Sequence, residues 1–334
     1  MPDACTVALP TLKEMEAAGQ VTYVDLEQMY LDHVFASFDM ELMRQFGKNI
    51  AYDAMYGAGQ SAMQKLFPDA RLLHCDYNPG FHGQAPDPIH RNLGELSATL
   101  KADPSLSLGI ANDGDADRIG LYDEDGNFVD SHHILLLLLL YLYKYKGQTG
   151  KVVITFSVTD KMKKLADMFG LETEITKIGF KYIAEIMANE DVIAGGEESG
   201  GLAVKGHIPE SDGIWIGLMN LEFMAKNGKS LKALIQEVYS YVGAFSFDRD
   251  DLHLLESQKQ AVMAQCKAGG YPAFGDYPIS GMEDVDGYKF LLGNDRWVMV
   301  RASGTEPLLR VYCQAGSPEE VRAILDAAKT TMLG

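Results

Sequence analysis

Cysteine and basic residues are both scarce in this 334-residue sequence. The four cysteines, Cys5, Cys75, Cys266 and Cys313, lie far apart and form no C-x-x-C pair. They therefore match neither a zinc site nor a disulfide-stapled scaffold, and they fit a reducing cytosol. The 29 Lys and Arg face 47 Asp and Glu, which gives a formal charge of −18. This acidity argues against binding to nucleic acid or to an anionic membrane, so any bound phosphate needs a local cluster of bases.

No apolar run is long enough to cross a bilayer, which takes about 20 residues. The longest, 134–143, contains six consecutive leucines and predicts a helix buried between layers. Residues 1–10 lack the basic start and the sustained apolar stretch of a secretory signal. With 47% apolar residues the chain can bury a large core. We expect a cytoplasmic protein of two or three domains.

Strand-like and helix-like segments alternate along most of the chain. The alternation runs through 23–132 and again through 133–245, and the pattern changes near 242–250. Such alternation is typical of α/β layers. The sequence therefore predicts two successive three-layer α/β domains with these bounds. A smaller α+β domain is expected over 246–334, and a connector or tail over 1–22.

Three aspartates at alternating positions, Asp113, Asp115 and Asp117, follow an apolar, strand-like segment and are closed by Arg118. A second apolar segment begins directly afterwards, so the acids should lie on a tight loop between strands. Like charges this close repel one another, so the loop favours a cation or a compensating base. Oxygen ligands at this spacing suit Mg²⁺ or Ca²⁺, and Mg²⁺ commonly adds substrate phosphate to a few carboxylates.

Two other interpretations of this loop exist. An EF-hand would place Glu124 at its twelfth position, but Arg118 occupies the sixth, where the sharp turn needs glycine. A solvated acidic hairpin turn is the second. Arg118 argues against that turn, because an arginine beside three aspartates is suited to hold a phosphate next to a metal. We favour the magnesium site.

A second motif, GGEESGG over 195–201, follows another predicted strand. Its glycines allow ligands to approach the backbone closely. Its carboxylates and its hydroxyl can pair with the hydroxyl groups of a sugar. A plain polar turn would have the same composition.

A third motif surrounds Arg301, Ser303, Gly304 and Thr305 between two predicted strands, with Arg310 shortly afterwards. Guanidinium, hydroxyl and backbone N–H groups together can bind a phosphate, although a simple hairpin turn is the alternative.

Lys181 stands in the first turn of a predicted helix, after Gly179 and Phe180. A lysine is poorly placed there unless an anion joins it, because helix N-termini attract negative charge. The two interpretations are a phosphate-binding lysine and a solvated surface lysine.

These motifs occur in the same order as in the α-D-phosphohexomutases, the phosphoglucomutase and phosphomannomutase family, which the chain resembles from about residue 25 to its end. DGDADR resembles that family's metal loop, GEESG its sugar loop and RASGTEP its phosphate loop. The resemblance implies transfer of a phosphate between the 1- and 6-positions of glucose or mannose through a bisphosphate intermediate. It also implies Mg²⁺ and glucose 1,6-bisphosphate as cofactors, and it places the chain at the family's second, third and fourth domains.

The resemblance further implies roles for individual residues, by analogy with the family. Asp113, Asp115 and Asp117 would carry Mg²⁺, Glu197 and Ser199 would bind the sugar, Arg118 and Lys181 would assist catalysis, and Arg301, Ser303, Gly304, Thr305 and Arg310 would hold the distal phosphate.

One family feature is missing. The family's nucleophile is a phosphorylated serine in a Ser-His-Asn motif of a first domain, and no Ser-His-Asn occurs in this sequence. We therefore expect a chain without that domain that binds hexose phosphate but has no mutase activity alone. A non-catalytic phosphosugar-binding module and a water-using, metal-dependent sugar phosphatase stay open as alternatives. The face that a first domain would cover should expose apolar surface and favour self-association.

Overall fold

The computed structural model describes residues 9–46, 48–303 and 308–334 of the chain. These residues form two consecutive α/β units followed by a C-terminal α+β unit, which confirms the predicted fold class. In the described part of the chain, no helix is long and apolar enough to cross a membrane.

The first unit is built on a sheet with strand order β2-β1-β3-β4-β5. β1 is parallel to β2 and β3, whereas β4 and β5 extend the sheet in antiparallel fashion. The carboxyl ends of β1 and β3 therefore lie side by side. The strands are β1 (Ile50–Asp53), β2 (Arg71–Leu73), β3 (Leu108–Asn112), β4 (Ile119–Tyr122) and β5 (Phe128–Val129), and the helices are α1 (Leu12–Ala17), α2 (Leu26–Ser37), α3 (Met40–Phe46), α4 (Gly59–Leu66) and α5 (Gly94–Ala102).

The second unit repeats this plan with strand order β7-β6-β8-β9. β6 is parallel to β7 and β8, and β9 is antiparallel to β8. The strands are β6 (Lys151–Thr155), β7 (Thr173–Thr176), β8 (Val192–Gly196) and β9 (Leu202–Val204), and the helices are α6 (Ser131–Leu140), α7 (Asp160–Met168), α8 (Phe180–Asn189), α9 (Gly213–Asn227) and α10 (Leu231–Val242).

The C-terminal unit has an antiparallel sheet with strand order β10-β16-β15-β14-β13 and a separate β11-β12 ribbon. Its apolar residues form a core of their own under α11 and α12. The elements are β10 (Ser246–His253), α11 (Glu256–Lys267), β11 (Ala273–Phe274), β12 (Tyr277–Pro278), β13 (Gly281–Glu283), β14 (Tyr288–Gly293), β15 (Arg296–Ala302), β16 (Leu308–Ala315) and α12 (Pro318–Leu333).

Helix α6 lies in a hydrophobic core that the two α/β units share. Its six leucines, 135–140, are each no more than 1% exposed, as a helix that is apolar on every side requires. Asp130 caps the helix by accepting the N–H of His133 at 3.0 Å. Ser131 instead donates its hydroxyl to the carbonyl of Glu198 at 2.5 Å. The first residue of α6 therefore contacts the loop that follows β8.

Two helices differ from the sequence-based expectation. The sequence predicts a helix from about Ile89 to Leu100, but α5 begins at Gly94, because residues 90–92 form a separate 3₁₀ turn. The sequence-based interpretation does not include helix α10. The signals for it are present, because Ser230 caps the helix and its buried residues recur at helical spacing.

His132 lies where the second unit meets the C-terminal unit. Its Nδ1 accepts the N–H of Thr159 at 3.2 Å, and its ring meets Phe247 of β10 edge-on at 4.1 Å between centroids. The side chain is 1% exposed. This burial lowers the pKa of His132 to about 4, although the Asp130 carboxylate opposes the shift.

The buried histidine should make stability depend on pH. The unfolded chain protonates His132 near pH 6.5 and the folded chain only near pH 4. The stabilisation should therefore be complete above pH 6.5 and decline as the pH falls to 4, by about 3 kcal/mol. His132→Asn keeps a hydrogen-bond acceptor but does not titrate, so it should flatten this part of the profile. Urea unfolding of both proteins between pH 7 and pH 4 measures the difference, and parallel profiles would contradict the expectation.

Candidate functional site

The three aspartates between β3 and β4 converge. Asp113, Asp115 and Asp117 each offer one carboxylate oxygen, and these atoms lie within 4.8 Å of one another. Asp113 is buried, Asp117 is half-buried and Asp115 is exposed. Antiparallel strands flank the loop, whereas an EF-hand requires helices. This geometry is incompatible with the EF-hand alternative.

Arg118 holds the buried aspartate in place. Its backbone N–H donates to Oδ1 of Asp113 at 3.0 Å, and its Nε donates to Oδ2 at 2.6 Å. Burial raises the pKa of Asp113, and the hydrogen bonds and charge of Arg118 oppose that rise. The same guanidinium donates to Asp87 at 2.9 Å. Arg118 thus joins the aspartate loop to the segment before α5.

A cavity of about 510 Å³ opens between these two segments. This volume is in the range of small-molecule sites. The sequence of the loop at 78–83 indicates no chemistry, yet Phe81 lies in the cavity wall. The lining residues are Phe81, Ala85, Pro86 and Asp87 on one side and Asp113, Gly114, Asp115 and Arg118 on the other.

The turn after β1 packs against the backbone of the aspartate loop. The N–H of Ala58 donates to the carbonyl of Gly114 at 2.9 Å. A Cβ on Gly57 would come within 2.6 Å of the carbonyl oxygen of Asp113. The backbone of Ala116 has φ 65°, a left-handed conformation that costs energy for a residue with a side chain. From the sequence, this glycine-bearing turn at 56–59 could bind phosphate, and we favour a simple turn into α4. The structure shows that it also contacts the backbone of the aspartate loop.

The second α/β unit packs against the other side of the aspartate loop. Arg118 forms an antiparallel backbone bridge with Gly201. The N–H of Gly213 donates to the carbonyl of Ala116 at 2.9 Å. The hydroxyl of Ser211 lies 3.1 Å from Oδ2 of Asp117. The metal-loop and sugar-loop motifs are therefore adjacent in space.

The sugar-loop carboxylate Glu197 points to the start of α8. Its Oε1 accepts the N–H of Gly179 at 2.8 Å, and burial raises its pKa. Ser199 and Lys181 are exposed, and the ammonium of Lys181 lies 5.0 Å from the ring centre of Tyr182. The helix start where the sequence suggests a phosphate thus already contacts a carboxylate of the protein.

Glu198, the next residue, connects the sugar loop to the C-terminal sheet. Arg249 of β10 donates to its Oε1 at 2.8 Å and also pairs with Asp251 at 3.1 Å. Burial raises the pKa of Glu198, while the charges of Arg249 and Arg310 act in the opposite direction.

The residues of the third motif face the same region. The Nε of Arg301 lies 3.4 Å from a carboxylate oxygen of Asp286, which also accepts the N–H of Ile178 at 2.9 Å. Arg310 is opposite Arg301 in the sheet, and its Nε lies 3.6 Å from Asp251. Ser303 is buried, and its N–H donates to the carbonyl of Leu308. Gly304 and Thr305, both predicted to bind phosphate, lie outside the described residues.

Four residues of this region were not singled out for chemistry: Asp87, Ser211, Arg249 and Asp286. Asp87 lies between two prolines, and no sequence pattern there predicts that it pairs with Arg118. Arg249 is a base within the acidic segment 248–251 of a strand, a pattern that suggests an ion pair on one sheet face. The other two make contacts with residues far away in sequence.

Comparison with known proteins supports one family along the chain. Sequence models of the phosphoglucomutase/phosphomannomutase family match in chain order. The alpha/beta/alpha domain II model matches residues 28–126, the alpha/beta/alpha domain III model residues 130–241, and the C-terminal domain model residues 252–330.

Individual relatives carry the names of mutases that act on hexose phosphates. A phosphoglucomutase/phosphomannomutase from Thermococcus kodakarensis is 28% identical over 312 residues, which are 92% of this chain and 66% of the relative. A phosphoglucosamine mutase from Methanococcus maripaludis is 33% identical over 276 residues, 80% of this chain and 59% of the relative. The chain thus spans about two thirds or less of the length of these curated relatives.

A solved structure from Thermus thermophilus, of a protein whose name assigns it to the phosphomannomutases, superposes with a TM-score of 0.80. It shares 33% identity, and the match covers 93% of this chain and 67% of that protein. Matches at this identity and coverage, together with three domain models in order, show that the chain belongs to the phosphoglucomutase/phosphomannomutase family.

Proposed function

We propose that this chain supplies the metal-, sugar- and phosphate-binding parts of a phosphohexomutase. Such an enzyme interconverts hexose 1-phosphate and hexose 6-phosphate through a bisphosphate intermediate, here glucose 1,6-bisphosphate or a close analogue. The observation that carries the proposal is that the metal loop and the sugar loop are adjacent, and that the sugar loop is joined to the C-terminal sheet that bears the third motif. Arg118 meets Gly201 at one junction, and Glu198 meets Arg249 at the next.

The aspartate loop fits Mg²⁺ by the chemistry of its donors. Three carboxylates converge within 4.8 Å, and hard oxygen donors of this kind are what Mg²⁺ prefers. When bound there, Mg²⁺ would neutralise charge on the transferring phosphate. Asp113, Asp115 and Asp117 would hold it.

The neighbouring bases would position the phosphate that is transferred. Arg118 stands beside the aspartates with its side chain 34% exposed, so it can contact a ligand in the cavity while it holds Asp113. Lys181 is exposed at the start of α8 and would approach the same ligand from the second unit.

The other end of the hexose phosphate would lie between the sugar loop and the C-terminal sheet. Glu197 and Ser199 would accept and donate hydrogen bonds to ring hydroxyls. Arg301, Ser303, Gly304, Thr305 and Arg310 would hold the distal phosphate. Because Asp286 contacts both Arg301 and Ile178, an incoming phosphate would have to compete with this carboxylate or share its partners.

An activity assay separates the proposal from its alternatives. The chain is assayed with glucose 1-phosphate, Mg²⁺ and a trace of glucose 1,6-bisphosphate, alone and together with a phosphoserine-bearing domain of a relative. Because no Ser-His-Asn motif occurs in the sequence, we expect glucose 6-phosphate only in the supplemented sample. Release of inorganic phosphate by the chain alone would indicate a phosphatase, and binding without turnover in both samples would indicate a binding module.

Removal of one metal ligand should weaken Mg²⁺ binding. Asp115→Asn deletes one of the three negative charges, and we expect at least a tenfold loss of affinity, or about 1.4 kcal/mol, by titration calorimetry. Asp69→Asn makes the same charge change at an exposed position after α4 and serves as the control. Equal affinities for all three proteins would refute the metal assignment.

Loss of the predicted distal-phosphate arginine should discriminate between two ligands. Arg301→Ala should weaken binding of glucose 1-phosphate by about 1.5–3 kcal/mol, the value of a charge-assisted hydrogen bond, and should leave glucose binding nearly unchanged. Arg322→Ala removes a comparable guanidinium from α12, where its partner is Asp250, and should affect neither. If Arg301→Ala weakened both ligands equally, this residue would not contact phosphate.

A further inference from the structure

The hydroxyl of Ser211 makes a contact that joins the two α/β units at the aspartate loop. Its oxygen lies 3.1 Å from Oδ2 of Asp117, and Ser211 is 9% exposed. An aspartate oxygen without its proton can only accept, so the serine donates its one hydroxyl hydrogen. The second unit thereby contacts a predicted metal ligand of the first.

This hydroxyl is not needed to cap α9, which begins two residues later. Asp212 is the cap residue and accepts the N–H of Trp215 at 2.9 Å. The other oxygen of Asp212 lies 2.9 Å from Nε2 of His207. The cap is therefore complete, and Ser211 is available for Asp117.

The backbone around Ser211 is fixed against the loop. The N–H of Gly213 donates to the carbonyl of Ala116, and a Cβ on Gly213 would overlap the carbonyl oxygen of Arg118. This close packing leaves the segment 211–213 little freedom to move away from the loop. The serine oxygen therefore has a fixed position relative to the carboxylate of Asp117.

The orientation of the Asp117 carboxylate depends on this contact more than that of the Asp113 carboxylate does. Two hydrogen bonds from Arg118 hold Asp113, whereas Oδ1 of Asp117 is 3.7 Å from Nε of Arg118, too far for a hydrogen bond. Repulsion from its two neighbours would turn the Asp117 carboxylate outwards. A hydrogen bond on one lone pair of Oδ2 opposes that rotation and leaves the remaining lone pairs for a cation.

We infer that Ser211 is a positioning residue that holds Asp117 in the orientation a divalent cation requires, an inference that rests on the proposed metal site. Groups that orient metal ligands typically contribute 10- to 100-fold in metal affinity. Cation affinity would then depend on contact between the two α/β units as well as on the loop itself.

The test is titration of the full chain with MgCl₂, without substrate, in four forms. Ser211→Ala should bind Mg²⁺ about 10- to 100-fold more weakly than wild type. Ser211→Thr retains the hydroxyl and should restore affinity. Ser97→Ala removes another buried hydroxyl, which donates to the carbonyl of Gly126 at 2.7 Å, and should leave the affinity unchanged. Thermal unfolding of each variant accounts for any loss of folded protein.

The outcomes distinguish the role of Ser211 from the existence of the metal site. Wild-type binding that Ser211→Ala leaves intact, or an equal loss in Ser211→Ala and Ser97→Ala, would overturn the role of Ser211 and keep the metal site. Failure of Ser211→Thr to recover affinity would also count against the hydroxyl. A wild-type chain that binds no Mg²⁺ would overturn the metal site itself, and with it the role of this serine.

Discussion

The contacts of Arg118 are the interaction on which the candidate site depends. Its backbone N–H and Nε hold Asp113, its terminal nitrogen binds Asp87, and its carbonyl accepts the side-chain amide of Asn112 at 2.9 Å. Its backbone also bridges to Gly201 in the second unit. One residue therefore fixes a predicted metal ligand, one wall of the cavity and the entrance of the sugar loop. Because Nε and a terminal nitrogen of one guanidinium donate to two different carboxylates, the single ammonium group of a lysine could not reproduce these side-chain contacts.

The distribution of charge explains how so acidic a chain would present the proposed phosphate site. Three guanidinium groups from neighbouring strands, those of Arg249, Arg301 and Arg310, face the sugar loop, and carboxylates lie beside each of them. The pair between Arg249 and Glu198 is short, at 2.8 Å, while the contact between Arg301 and Asp286 is 3.4 Å. The short pair is suited to joining two units. The longer contact is weaker, and an anion with more charge can replace it more easily.

The sequence predicted those features of the site that are local. Strands on both sides of Asp113, a buried helix at the leucine run and a turn at 195–201 follow from periodicity and composition within a few residues. The partners of these motifs did not follow. Asp117 meets Ser211, and Ile178 meets Asp286, across 94 and 108 positions of sequence. Such contacts arise from packing between units, which no local pattern reports.

Topology explains why two motifs far apart in sequence lie next to each other. In both α/β units the chain leaves a central strand, β1 or β6, for a neighbour on one side and returns on the other side as β3 or β8. This reversal opens a crevice at the carboxyl ends of those strands, where α/β proteins bind ligands. The aspartate loop follows β3 and the sugar loop follows β8, so the two loops occupy equivalent places. Contact between Arg118 and Gly201 places the two loops next to each other.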